Sequence, residues 1–329
     1  MSVEPAILCV DKPPGATSHD AVQWVRWALR EKSVGHFGTL DPGATGLLVL
    51  GVGAATRLGP FLTGLDKTYA ATVTFGTATS TDDAEGEIVA AADCTHLTGE
   101  AIEAAAAGLT GALSLPPPAV SAIHVDGKRA HARVRAGEDV TLDPRPMHVH
   151  AVTEVVAQPG PAVELVVRVS KGTYVRSLAV ELGRRLGVPA HLSALRRRAV
   201  GTLTVDDPGT IAGLQVTGTP PRARIGLAGL ADDAERRAQT AAHLTPALHP
   251  AWHGAPFPIV QTSPTDDGAA LWRALGHGQR CTLRPGQLRG ASPTAGLVGV
   301  RAAGPALVVC ELDDVGALCP RRRIGGTDA

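Results

Sequence analysis

The spacing of apolar residues changes several times along the chain, and each change marks an element. Ile7-Leu8-Cys9-Val10 is an unbroken apolar run that reads as a buried strand, closed by the turn formers Pro13, Pro14 and Gly15. Behind Ser18, a residue suited to cap a helix, Val22, Val25 and Leu29 recur at helical spacing with Asp20 in the first turn. Leu47-Leu48-Val49-Leu50 is a second buried run. From Thr68 to Phe75 the alternation is strict: Tyr69, Ala71, Val73 and Phe75 share one face, and Thr68, Ala70, Thr72 and Thr74 the other. Thr98 caps a helix running to Leu109, Val163 to Ser170 alternates as a strand, and Leu178, Leu182 and Leu186 form a helical stripe that Gly187 stops. A further helix is expected from Ala231 to Leu244, and a strand pair (Leu297 to Val300, Leu307 to Leu312) turns at Gly304-Pro305.

At 329 residues the chain has room for more than one domain, and the Pro, Gly and Ala enrichment between Asp206 and about Thr262 marks a connection. Lys and Arg number 31, as do Asp and Glu, so no overall field draws the protein to a polyanion. The distribution is uneven, however. Between Ser121 and Val200 there are 13 basic residues against 7 acidic ones, the local excess expected of a phosphate-binding face. Cys9, Cys94, Cys281, Cys310 and Cys319 form no Cys-x-x-Cys pair, which points to neither a disulfide framework nor a zinc site. With no leader-like segment and no apolar run of the ~18 residues that span a bilayer, a cytoplasmic protein is expected.

The densest chemistry lies in Gly35-His36-Phe37-Gly38-Thr39-Leu40-Asp41-Pro42-Gly43-Ala44-Thr45-Gly46. Glycines let this loop fold sharply, the apolar run after it holds it rigid, and Pro42 restricts Asp41 to extended backbone. Asp41 is thereby displayed either as turn chemistry or as an active group. Asp82, Asp83, Glu85 and Glu87 read as a solvated loop, and Arg196-Arg197-Arg198 as either a solvated run or a phosphate contact.

The twelve-residue loop resembles the signature of the TruB-type tRNA pseudouridine synthase family, close to Gly-His-Thr-Gly-Thr-Leu-Asp-Pro-Leu-Ala-Thr-Gly, with departures at Phe37 and Gly43. Six other stretches are similar to family elements: Lys12-Pro13-Pro14-Gly15 through Ser18, Gly53 to Arg57, Lys67-Thr68-Tyr69, the stretch holding Asp82, Ser170-Lys171-Gly172-Thr173-Tyr174-Val175-Arg176, and Ala194-Leu195-Arg196 through Gly201. The segment Leu115 to His131 is a divergent version of another, changed at the residue before Ser121 and at His124 and His131. The resemblance implies an α+β fold, a mixed and largely antiparallel central sheet flanked by helices, followed by a small C-terminal β-barrel of PUA type. Residues 1–250 would be the catalytic domain and 251–329 the RNA-binding one.

The same resemblance implies that the uridine at position 55 of the tRNA T-loop is flipped out and isomerised. Asp41 would be the catalytic carboxylate, Arg176 its ion-pair partner, and Tyr69 the ring that stacks on the target base. His36 would fill the space the base leaves, Tyr174 and Leu195 would shape the pocket, and Lys12 would brace the loop. Breaking C1′–N1 and joining C1′ to C5 needs no group donor, so no cofactor or metal is implied. The expected partner is the tRNA T-arm alone, bound by a monomer with no membrane and no obligatory protein partner. Two rival readings keep the scaffold: a non-catalytic tRNA-binding or tRNA-folding protein, and a guide-RNA-dependent synthase.

Overall fold

The computed structural model describes residues 3–121, 123–125, 128–130, 133, 138, 140, 142–217, 224–226, 233–251, 253–262, 265–283, 287–289, 296–302, 306–313 and 317–325. His131 and the Gly304-Pro305 turn lie outside them, as does the side chain of His124. In chain order the strands that matter here are β1 (Ala6–Lys12), β2 (Val34–His36), β3 (Thr45–Val52), β4 (Lys67–Phe75), β5 (Gly111–Leu115), β6 (Arg145–Gln158), β7 (Ala162–Val169), β8 (Ala190–Val200) and β9 (His249–Pro250). The helices are α1 (Ser18–Leu29), α2 (Gly99–Ala107), α3 (Val175–Leu186), α4 (Asp233–Leu244) and α5 (Asp266–Gly276).

The chain divides into two compact units, one of residues 1–42, 46–65 and 201–329, the other of residues 43–45 and 66–200. In the first, β1 pairs antiparallel with β3 on one side and β9 on the other, and β2 pairs with β3. Residues Ile7, Leu8, Leu47, Leu48 and Leu50 are fully buried, as the two apolar runs require. Helix α1 buries Val22, Trp24 and Val25. Its cap differs from the expectation: Thr17 accepts the Asp20 amide while Asp20 accepts the Thr17 amide, a reciprocal capping box. Ser18 is released to turn inward, where its hydroxyl donates to the Leu40 carbonyl (3.1 Å) and accepts the Leu40 amide (2.8 Å).

This unit also holds the C-terminal sheet, made of β10 (Ile259–Thr262), β11 (Cys281–Thr282), β12 (Leu288–Arg289), β13 (Gly296–Arg301), β14 (Leu307–Leu312) and β15 (Ala317–Ile324). Their order is β11-β15-β14-β13-β10-β12, with the β10–β13 pair parallel, and the curled sheet closes with α5 over its own core of Val260, Leu271, Leu275, Val298, Val300 and Val308. It is the small PUA-like β-barrel element expected. Arg57 donates to the Arg323 carbonyl at 3.2 Å, tying this sheet to the turn after β3.

The second unit is an antiparallel sheet in the order β8-β4-β7-β6-β5. Strand β4 alternates as expected, with Lys67, Tyr69, Ala71, Val73 and Phe75 buried and the threonines half-buried. Helix α3 packs on β8 and α2, burying Leu178 and Leu182, and ends at Gly187 in the left-handed conformation (φ 74°). Two of the longest strands, β6 and β8, have no clear period in the sequence. Both carry register shifts that break the alternation. Together the two units give an α+β protein with largely antiparallel sheets.

Candidate active site

In the first unit the Asp41 loop is held on both sides of the aspartate. On one side Ser18 binds both backbone groups of Leu40. On the other, the Pro42 carbonyl accepts the Gly15 amide at 2.9 Å and the Lys12 ammonium at 3.1 Å. Lys12 is completely buried, and its Nζ also donates to the carbonyls of Pro13 (2.9 Å) and Ala16 (2.7 Å). A buried ammonium is tolerable only when its donors are used, and here they gather three carbonyls from two segments of the loop system. Lys12 is thus buried in a position where a turn lysine is usually solvated, and it holds the loop as the resemblance implied.

Phe37, one of the two departures from the family pattern, is buried, and its amide donates to the Val49 carbonyl at 2.9 Å. A Cβ at Gly51 would stand 2.4 Å from the Phe37 ring, so this glycine is what gives the larger side chain its place. His36 sits beside it on β2, half-buried and opposite Leu50.

The other expected site residues belong to the second unit. Tyr69, 8 % exposed, lies on the buried face of β4 between Val167 on β7 and Arg197 on β8. Leu195 is paired with Ala71, one step along that ladder, so it shares the face of the sheet with Tyr69. The Leu195 carbonyl accepts the Thr45 hydroxyl at 3.4 Å, which anchors the last residues of the signature loop. The second departure from the family pattern belongs here as well: a Cβ on Gly43 would meet Glu85 Oε1 at 3.0 Å.

Tyr174 occupies the N-cap of α3 in extended backbone geometry, and Arg176 stands in the first turn, 5 % exposed. A cation is disfavoured at a helix N-terminus, and that turn contains no acid. Counter-charge comes instead from Asp83, whose Oδ2 is 3.4 Å from Arg176 Nη1, while the guanidinium also donates to the carbonyls of Thr81 and Val120, both at 3.1 Å. Of the acidic stretch read as a solvated loop, Glu85 and Glu87 are exposed as expected, whereas Asp82 and Asp83 are half-buried. Asp82 has a left-handed backbone (φ 61°), its carbonyl accepts the Leu192 amide at 3.0 Å, and burial pushes its carboxyl up from the ordinary value against the pull of Arg176.

Arg197 is a second correction. Of the three consecutive arginines it is fully buried at 1 % exposure, whereas Arg198 reaches outward to Glu154 at 3.0 Å. Strand alternation turns the middle residue inward beside Tyr69 and Lys67. Burial, and next the Arg197 charge, pull the Lys67 ammonium down to about 8.

Residues 26–175 match the family described as TruB family pseudouridylate synthase (N terminal domain). A protein of Arthrobacter sp. (strain FB24) named tRNA pseudouridine synthase B is 49 % identical over 210 residues, 62 % of this chain and 69 % of that protein. The chain belongs to the TruB family of pseudouridylate synthases. It is accordingly an isomerase. A protein of the same name from Corynebacterium efficiens is 49 % identical over 213 residues, covering 64 % of this chain and 71 % of the relative. Among solved structures, a chain of a Cbf5-Nop10-Gar1 complex superposes with a TM-score of 0.65 over 97 % of this chain and 85 % of its own length, at 24 % identity, a likeness of fold. Among the described residues no helix is long and apolar enough to cross a membrane.

Proposed function

We propose that this synthase acts on tRNA and isomerises the T-loop uridine at position 55, with Asp41 as the catalytic carboxylate. The observation that carries the reading is the anchoring of the backbone on both sides of Asp41, at Leu40 and at Pro42, in a signature loop whose single carboxylate is Asp41. Substrate identity rests on the shared name of relatives about half identical to the chain.

In the proposed reaction a uridine cannot reach such an acid inside a folded arm, so it is everted and held by stacking on Tyr69, with Leu195 and Tyr174 as further walls of the pocket. His36 takes the space the base leaves. The carboxylate, charge-balanced by Arg176, acts at the ribose while the C1′–N1 bond breaks. The base turns, C1′ joins C5, the C5 proton leaves with help from the Tyr69 hydroxyl, and N1 gains a proton. Atoms balance without a donor. We further propose a catalytic domain of residues 1–250, an RNA-binding domain of residues 251–329, and a monomer acting in the cytoplasm without a guide RNA.

Tritium release from tRNA transcript labelled at uridine C5 tests the reading. Wild type releases label from the transcript, Asp41→Asn with an unchanged urea midpoint releases none, and a transcript with cytidine at position 55 yields none with either. Release by Asp41→Asn would overturn the catalytic assignment, and undiminished release from the cytidine transcript would overturn the position.

A further inference from the structure

The C-terminal end of α1 carries a feature that the isomerisation does not use. Gln23, Arg26, Trp27, Arg30, Glu31 and Lys32 line an open groove of about 520 Å³ in the first unit. Trp27 is 37 % exposed, the one aromatic among the large exposed apolar residues of the described chain. The chain has only four tryptophans, and burying an indole is strongly favourable. The exposed part of this one, in a charged groove, offers a stacking face to a flat occupant.

The charge around it is positive. Glu31, the single carboxylate of the groove, accepts the Ser33 amide at 2.8 Å and is held to the backbone. Cations at a helix C-terminus also offset the helix dipole, and Arg26, which donates to the Val34 carbonyl at 2.8 Å, fits that ordinary role. Arg30 does not. It occupies the C-cap with φ 53° and ψ 32°, a left-handed backbone that glycine adopts without strain. An arginine kept there, next to the exposed Lys32 and one turn from Trp27, places its guanidinium at the groove despite the backbone cost.

We propose that this groove binds an unpaired nucleotide of the RNA substrate, its base stacked on Trp27 and its flanking phosphates on Arg30 and Lys32. An exposed ring beside exposed cations is the arrangement that holds single-stranded nucleic acid with little regard to base identity. The occupant's being part of tRNA rests on the substrate reading above. The groove gives the enzyme a hold on RNA separate from the Asp41 loop.

The test uses the full-length chain and 5′-fluorescein pentaadenylate, followed by anisotropy across a salt series. Wild type binds, and Trp27→Ala weakens binding roughly tenfold, as loss of one base–aromatic stack requires. Arg30→Gly, which relaxes the backbone and keeps or raises the urea midpoint, lowers the slope of log K against log salt by about 0.7, and Lys32→Gln does the same. With tRNA, all three raise KM and leave kcat unchanged. Binding of pentaadenylate that is indifferent to Trp27→Ala, or lost equally to inorganic tripolyphosphate in wild type and Trp27→Ala, overturns the proposal. An enzyme inactive on tRNA that still binds pentaadenylate through Trp27 would refute the substrate reading and keep the groove. Full tRNA activity with Trp27-independent binding would do the reverse.

Discussion

Replacing Lys12 by methionine removes one ammonium and keeps most of the side-chain volume. The carbonyl of Ala16 accepts Lys12 Nζ in a fully buried setting, so the change leaves it without that donor, at a cost of about 1–3 kcal/mol. The Pro13 and Pro42 carbonyls are partly exposed, and Pro42 keeps the Gly15 amide, so each loses about 0.5–1 kcal/mol. Relief from holding a charge at 0 % exposure, with the packing of a thioether in its place, offsets part of this, and the net loss is about 2 kcal/mol. In urea that lowers the midpoint by roughly 0.5–1 M at unchanged m. The same change frees the Pro42 side of the Asp41 loop, and a misplacement on the order of 1 Å at a reacting group costs up to about 100-fold in rate. The expected result is therefore a lower midpoint and a 10- to 100-fold drop in kcat, again roughly the cost of such a misplacement, with KM for tRNA little changed. Unchanged kcat in a protein whose midpoint has fallen would show that Lys12 holds the fold without positioning Asp41. An unchanged midpoint would refute the hydrogen-bond accounting itself.

Two titratable groups give predictions with a definite sign. Lys67, lowered to about 8 by burial and by Arg197 and Lys171 against the pull of Asp66, binds its proton less tightly in the folded than in the unfolded chain. The folded state thus bears the charge at a penalty below about pH 8 and sheds it as pH rises toward the ordinary lysine value of about 10.4. Lys67→Met is expected to be more stable than wild type at pH 7, by about 2 kcal/mol, with an advantage that shrinks between pH 8 and 10 in urea titrations. An advantage constant with pH refutes the burial argument. Glu181 has the opposite sign. Hydrogen bonds from Arg184, opposed by burial and aided by Arg185, bring it down to about 2, so its contribution is complete above the ordinary glutamate value and is lost as pH falls toward 2. Because Arg184 is 71 % exposed, Glu181→Gln is expected to cost only about 1 kcal/mol at pH 7, and the gap to wild type closes on acidification. A gap that widens in acid would contradict it.

Legibility in the sequence followed the range of the interactions. The alternation of β4 and the stop at Gly187 are local, and both stand in the structure as read. The loop around Asp41 was legible because its glycines, proline and family signature lie within twelve residues. Where two neighbours competed for one role, the sequence did not decide: Thr17 and Ser18 both suit an N-cap, and only the inward path to Leu40 explains why Ser18 is not the cap. Asp83 looked solvated, as Glu85 and Glu87 are, because polarity says nothing about a guanidinium about a hundred residues away. Arg197 was the more instructive miss. Three adjacent arginines look like a surface run until the segment is known to be a strand, and a strand must send its middle residue to the opposite face from its neighbours. That one geometric fact carries a fully buried cation to the side of Tyr69 and lowers the Lys67 ammonium, so the electrostatics around the proposed stacking residue follow from secondary structure that bulged strands conceal from any periodicity count.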